Sequence, residues 1–367
     1  MEKVQYRKNA YKMIYLTICS LRGTVPKKEK LQDIDYESLL YVCEKHSLSS
    51  AVGYALESAG VKNYDFIQAK EKAVRKEILL DMWRNKVTAE LEKKGIWYMT
   101  LKGALLKSHY PKTGMRQMSD NDILFDPDFR EEVKDIMLGL DFVCDHYGKG
   151  AVDTYFKEPV CNFEMHIDLY SEILSDNIYN YYRNVKDRLL KDDGNNYGWH
   201  FSDEDFYIYM IVHEYKHFFH GGTGVRSLAD TYVYIKKFGN SMDWDYINEQ
   251  LRILGTADFE SKNRELAMAI FSGKKTTPEQ RKLLDFYIFS GTYGTVNNEI
   301  NTKIKNHGST FKYIMFRIFP PVSYYKFSCP TAYKHKWLLP FAWLYRLPRG
   351  IINHSDKIYY ELKVLLK

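Results

Sequence analysis

The chain has 367 residues, 45% of them hydrophobic and 27% charged, with a net charge of +6. That length exceeds one ordinary core and predicts two or three packed units, while the mild charge permits a polyanionic partner without demanding one. The five cysteines are odd in number and form no C-x-x-C pair, which argues against a disulfide framework or a thiolate zinc site and suits a reducing cytosol.

Residues 13–21, "MIYLTICSL", follow basic residues as a signal peptide would, but no small-x-small cleavage site comes after them, so export is not expected. No run approaches ~18 apolar residues, so no membrane span is expected and the chain reads as cytoplasmic. Apolar residues at 3–4 spacing predict helices over 35–60 and 64–94, the second closed by Gly95. A strand over 96–101, a Lys-Gly turn, a short helix over 104–110 and a strand at "DILF" follow. Asp126 and Pro127 then start a helix, as N-cap and first helical residue. "DFVCDHY", "VDTYFKE" and "CNFEMHIDLY" read as three more strands. "KDDGNNYG", 191–198, reads as a linker. Beyond it, helices are predicted over 203–220, 226–238, 243–253 and 278–290, and then an aromatic, basic tail over 311–367.

This is an α+β pattern, a small mixed sheet flanked by N-terminal and C-terminal helical regions. It divides as 1–94, a helical segment packing on the core, 95–190, the α/β core, and 191–367, mostly helical. Prolines and scattered apolar residues predict that the tail packs back onto the domain, rather than stacking bases or lying on a membrane surface.

Asp120 and Asp122 stand one residue apart at the start of "DILF". On a strand, positions i and i+2 share a face, so the two carboxylates project together. Repulsion and desolvation oppose that pairing unless a cation lies between them. Oxygen-only sites of this kind hold Mg²⁺ or Mn²⁺, and such ions bridge phosphate oxygens. Upstream, Lys102 and Gly103 form a strand-to-helix turn that presents backbone N–H groups, with Lys102 able to meet phosphate charge. Arg116 lies four residues before Asp120. Glu164, His166 and Asp168 share one face of the later strand, opposite Phe163, Met165 and Ile167.

Leu101-Lys102-Gly103, Tyr110-Pro111, Arg116, Asp120, Asp122, Leu124, Glu164 and His166 together resemble a bacterial family of nucleotidyltransferases in the DNA polymerase beta-like superfamily. The helical "HEYKH" and "RSLAD" resemble that family's later region, as does "FPPVSYYKFSCP…LLPFAWLYR" in the tail. The resemblance implies a metal-dependent nucleotidyltransferase that moves a nucleoside monophosphate from an NTP to an acceptor, with pyrophosphate leaving. It implies Mg²⁺ or Mn²⁺ on Asp120, Asp122 and Glu164 as the catalytic carboxylates, with Gly103 by the triphosphate; Lys102, Arg116 and, as an alternative to its pairing with Asp230, Arg226 are the further candidate nucleotide contacts. The acceptor stays open among a small molecule, a sugar, a protein and an RNA end, as does the oligomeric state. The pattern departs at Ala104, where the wider superfamily has Ser, and at Asn121, where relatives carry an apolar residue. These departures keep a catalytically inactive nucleotide-binding relative as an alternative.

The repulsion argument predicts a raised pKa at Asp120 or Asp122, and an Asp122→Asn variant at least as stable as its parent. Room for phosphate beside Gly103 predicts that Gly103→Val blocks nucleotide binding and spares the fold.

"HEYKH" also matches H-E-x-x-H. On a helix His213 and His217 share a face and can bind Zn²⁺ with Glu214 as base, which is the metallopeptidase alternative. The longer metzincin pattern fails at His220 and Gly224, and the plainer reading packs both histidines toward the cleft or the core. Arg226 and Asp230, four apart on a predicted helix, read as a pair.

Overall fold

The computed structural model describes residues 1–170, 176–325, 329–353 and 355–365. The chain divides into two compact units, Met1–Lys216 with Gly224–Thr292, and His217–Thr223 with Tyr293–Lys367.

The first unit is a mixed sheet with helices on both faces. Its strands are β1 (Tyr98–Thr100), β2 (Asn121–Phe125), β3 (Val143–His146), β4 (Val152–Lys157), β5 (Cys161–His166), β6 (Leu190–Lys191) and β7 (Gly198–His200). Their order is β3-β4-β5-β2-β1-β7-β6. β2 pairs antiparallel with β1 and parallel with β5, and β7 runs parallel to β1. The α+β expectation therefore holds. The 191–198 stretch, read as a linker, spans the turn of the β6–β7 hairpin, whose loop is 192–197, and Tyr197 accepts a backbone bond from Tyr98.

Alternation along the strands divides the core. Tyr98, Ile123, Phe125, Phe163 and Met165 face one way, toward Val87 and Leu91 of α4 (Tyr64–Lys94) and Val133 and Met137 of α6 (Arg130–Gly139). Met99, Leu101 and Leu124 face the other way, against Tyr207, Ile208 and Ile211 of α8 (Asp203–Phe219). Each such large side chain removed from water contributes roughly 1.5–3 kcal/mol, so both faces hold the strands in place.

Local signals explain the helix ends. Asn63 accepts from Phe66 N–H at the start of α4, and Gly95 closes it at φ 70°. The predicted 35–60 helix is two, α2 (Tyr36–Lys45) and α3 (Ser49–Ser58), because Ser47 takes φ +52° and breaks the run. The 13–21 run that mimicked a signal peptide belongs to α1 (Lys3–Arg22), which buries Met13, Ile14 and Leu16 and packs on α2 and α3. The unit continues with a short α5 (Gly103–Leu106), α7 (Asp176–Tyr182), α9 (Val225–Phe238), α10 (Trp244–Ile253), α11 (Ala257–Phe271) and α12 (Pro278–Ser290). α11 was not anticipated from the sequence.

The second unit holds α13 (Val296–His307), α14 (Thr310–Ile318), α15 (Pro330–Lys334), α16 (Leu339–Asn353) and α17 (Ser355–Leu365). The tail builds its own small core around Tyr325, Ala332 and Leu339. Among the described residues, no helix is long and apolar enough to cross a membrane.

Candidate active site

The parallel register of β2 and β5 sets Asp122 opposite Glu164, and Ile123 opposite Met165. Ile123 and Met165 are locked into the α4 side of the sheet, so Asp122 and Glu164 emerge together on the α8 side. His166, two residues on, joins them. Its Nε2 lies 3.0 Å from Asp122 Oδ1 and 3.5 Å from Glu164 Oε2. One ligand atom from each of Asp122, Glu164 and His166 falls within 4.8 Å of the others.

Lys102 completes the cluster from the β1–α5 turn. Its Nζ donates to Asp122 Oδ1 at 2.7 Å and lies 3.9 Å from Glu164 Oε2. The backbone pays for this reach, since Lys102 sits at φ +48°, ψ −119°. A side chain held there costs on the order of 1–3 kcal/mol, and such strain persists where surrounding contacts over-determine it.

The charges separate the two aspartates. Burial alone would raise the Asp122 pKa, but Lys102 and His166 outweigh it and hold the carboxyl far below the ordinary range. At Asp120, burial and the charges of Asp122 and Glu164 push the pKa up to about 6. Burial first and like charge second thus raise Asp120, in the direction the repulsion argument expected. Burial works against Lys102 and His166 as well, yet their bonds to the carboxylates keep both pKa values raised.

Asp120 lies just before β2, where it accepts from Ser119 Oγ at 2.9 Å. It flanks the cluster without being one of its three mutually close ligands. Asp120 and Glu164 open onto a cleft of about 500 Å³, lined also by Val143, Thr154, Phe156 and Asn162. Asp168 lies past the end of β5, outside the cluster, with its pKa raised by burial.

Asn121, at a position read as apolar, is fully buried and fully used. Its amide donates to Leu80 O at 2.9 Å and accepts from Arg84 at 3.3 Å, tying β2 to α4. A buried polar group with both ends bonded costs little, so the strand stays buried without an apolar residue there.

Arg116 and Gly103 form a separate arrangement. Arg116 grips Asp230 of α9 in bidentate fashion, at 2.8 and 2.9 Å, and Tyr110 donates to the same carboxylate at 2.6 Å. The Asp230 carboxylate expected for Arg226 is thus held by Arg116, and Arg226 donates to Gln117 O at 3.1 Å. A Cβ on Gly103 would overlap the Arg116 guanidinium and meet Met118 Sδ at 3.0 Å. The space beside Gly103 is filled by those side chains, which corrects the expectation that Gly103→Val would spare the fold.

α8 carries a residue that sequence reasoning missed. Lys216 lies near Lys102, Glu164 and Asp122; burial first, then the Lys102 charge, lower its pKa. Tyr209, buried on the same helix, feels Asp122 and Glu164. Tyr209 and Lys216 are seven apart and share a helix face, which was the available signal. The H-E-x-x-H reading has no support. Glu214 is buried against Tyr287, whose hydroxyl donates to it at 2.7 Å, and burial pushes its pKa up to about 7. Among the described residues, the group able to share an ion includes neither His213 nor His217.

No curated protein and no solved structure matches the chain. A family model does match, over residues 32–272, which takes in the whole sheet and stops before the basic tail. On that match, the chain belongs to a family described as uncharacterised nucleotidyltransferase.

Proposed function

We propose that the chain is a metal-dependent nucleotidyltransferase of the DNA polymerase beta-like type, transferring a nucleoside monophosphate from an NTP to an acceptor hydroxyl. The observation that carries this reading is the in-register pair Asp122 and Glu164 on adjacent parallel strands, with a cation already held between them. Carboxylate oxygens backed by one imidazole suit Mg²⁺ or Mn²⁺. His166 Nδ1 is buried without a hydrogen-bond partner, and a ligating histidine normally bonds a second group through its other nitrogen. His166 therefore fits better as a donor to the carboxylates, which leaves Asp122 and Glu164 as the oxygen ligands, with Asp120 flanking them beside the cleft.

When bound, the ion supplies charge stabilisation for the phosphate oxygens. Lys102 and Lys216 bring the remaining positive charge to the triphosphate. Asp120, beside the cleft, is the carboxylate that accepts the proton of an acceptor hydroxyl. The acceptor oxygen bonds to the α-phosphorus as pyrophosphate leaves with its electron pair. The cleft beside Asp120 and Glu164 is the acceptor's place. Arg116, Arg226 and Gly103 hold the surrounding loops in position.

The test is thermal unfolding with each NTP and Mn²⁺ or Mg²⁺, alongside pyrophosphate release. Stabilisation by metal and nucleotide together, lost in Asp122→Asn, supports the reading. A folded protein indifferent to both would sink it and leave a binding protein with structural carboxylates.

A further inference from the structure

We propose that the second unit docks on an anionic lipid surface. Residues 300–355 contain nine Lys and Arg and no Asp or Glu. Arg317 is spent on Glu361, and Lys303 on Glu299. Lys334, Lys336 and Arg349 stand exposed.

The same stretch exposes large apolar side chains in order. On α16, Phe341, Leu344, Tyr345 and Ile352 are 64%, 68%, 67% and 78% exposed, and Trp337 just ahead of the helix is 71% exposed. These helix positions fall three, four and eleven apart, so they form one stripe. Leu339, Ala342 and Trp343 of the same helix already pack on the tail's own core, so that core does not cover the stripe. α14 adds Phe311, 71% exposed, and Phe319 at its end packs edge-on against Trp343 at 5.3 Å.

A continuous apolar stripe beside cations is what a helix lying in a headgroup layer presents. Trp337 and Tyr345 suit the interface itself, and the acid-free composition complements anionic headgroups. A single-stranded nucleic acid would use the cations and the rings, but Leu344 and Ile352 offer no face on which a base can stack. The proposal does not depend on the transfer reaction, and the stretch lies outside the family match.

The experiment is flotation of the full chain with phosphatidylcholine vesicles, with and without phosphatidylglycerol. Binding to the phosphatidylglycerol vesicles alone is expected, with release as salt is raised. Phe341→Ser with Leu344→Ser should cut binding on the order of tenfold or more at unchanged melting temperature. Should that pair unfold, Lys334→Glu with Lys336→Glu, both exposed, decides through the same loss. The proposal is overturned if the folded chain ignores phosphatidylglycerol vesicles or if the charge-reversed pair binds them as the parent does. It is also overturned if sedimentation shows a dimer that the Phe341 and Leu344 changes dissolve. Retained oligonucleotide binding without vesicle binding likewise overturns it and assigns the surface to nucleic acid.

Discussion

A buried arginine and a half-buried lysine lie fourteen residues apart in the chain, and each meets a buried aspartate. Arg116 meets Asp230, and Lys102 meets Asp122. The first pair is closed. Asp230 receives two guanidinium bonds and a tyrosine hydroxyl, and planar arginine matches the carboxylate in both. The second pair is open. Lys102 and His166 both sit on Asp122, while Asp120 is repelled by its neighbours and Glu164 keeps a side chain 37% exposed. Saturation makes a structural clamp, while a repelled carboxylate beside a cleft suits the approach of another cation. This contrast, and not the presence of buried charge, distinguishes the two regions.

The open site should answer most strongly through activity. On the proposed function, Asp122→Asn should lower nucleotide transfer by roughly 10³-fold or more, because the lost carboxylate would orient the ion and anchors Lys102. It should also lower apo stability, contrary to the sequence expectation, since Lys102 and His166 lose their main partner. Pyrophosphate release and denaturant unfolding check the two halves, and an unchanged transfer rate would break the assignment.

The closed clamp should answer through stability. Asp230→Ala strands a buried guanidinium and should cost about 3–5 kcal/mol in denaturant unfolding. A cost near zero would mean that Arg116 is free to serve a ligand. Gly103→Ala presses the same guanidinium from the other side and should cost roughly 1–3 kcal/mol. In an Asp230→Ala background that cost should shrink, because the guanidinium is then free to move.

Asp120 carries the like-charge penalty, so Asp120→Asn should stabilise the apo protein by about 1–2 kcal/mol near neutral pH. The sign follows from linkage. The folded pKa of about 6 lies above the usual carboxylate value, so the folded state binds the proton more tightly. Stability at this site is greatest at low pH and falls as pH rises from about 4 to about 6. The gap between parent and variant should widen over that window, and melting curves against pH measure it. A constant gap would remove Asp120 from the cluster.

The smallest effect concerns Lys102, which holds the place of a cation. Lys102→Met should tighten Mn²⁺ binding without nucleotide several-fold, by removing a competing charge. Titration calorimetry measures it. Weaker binding would show that Lys102 orders the carboxylates instead.

Much of the first unit was legible from local signals. The strand pattern, the Gly95 helix end and the period-two alternation around Asp122 and Glu164 all follow from residue type and spacing. β6 and β7 were hidden, since two- and three-residue strands leave no periodicity and a Gly-Asn loop reads equally as linker or hairpin. α1 was hidden behind a short apolar run that two kinds of segment share. Sequence spacing suggested Arg226 for Asp230; long-range packing placed Arg116 there, across 114 residues of chain.

The sequence by itself determined which residues can carry the chemistry: the paired aspartates, the Glu-x-His that follows them, and the lysine before Gly103. Residue type and strand period are local properties, so one chain suffices to read them. The tertiary structure decided which carboxylate is relieved and which is strained, that Lys102 bends through a left-handed turn to reach Asp122, and that α8 brings Lys216 beside them. Those outcomes depend on distance and burial between segments far apart in sequence, and electrostatic energy is set by both.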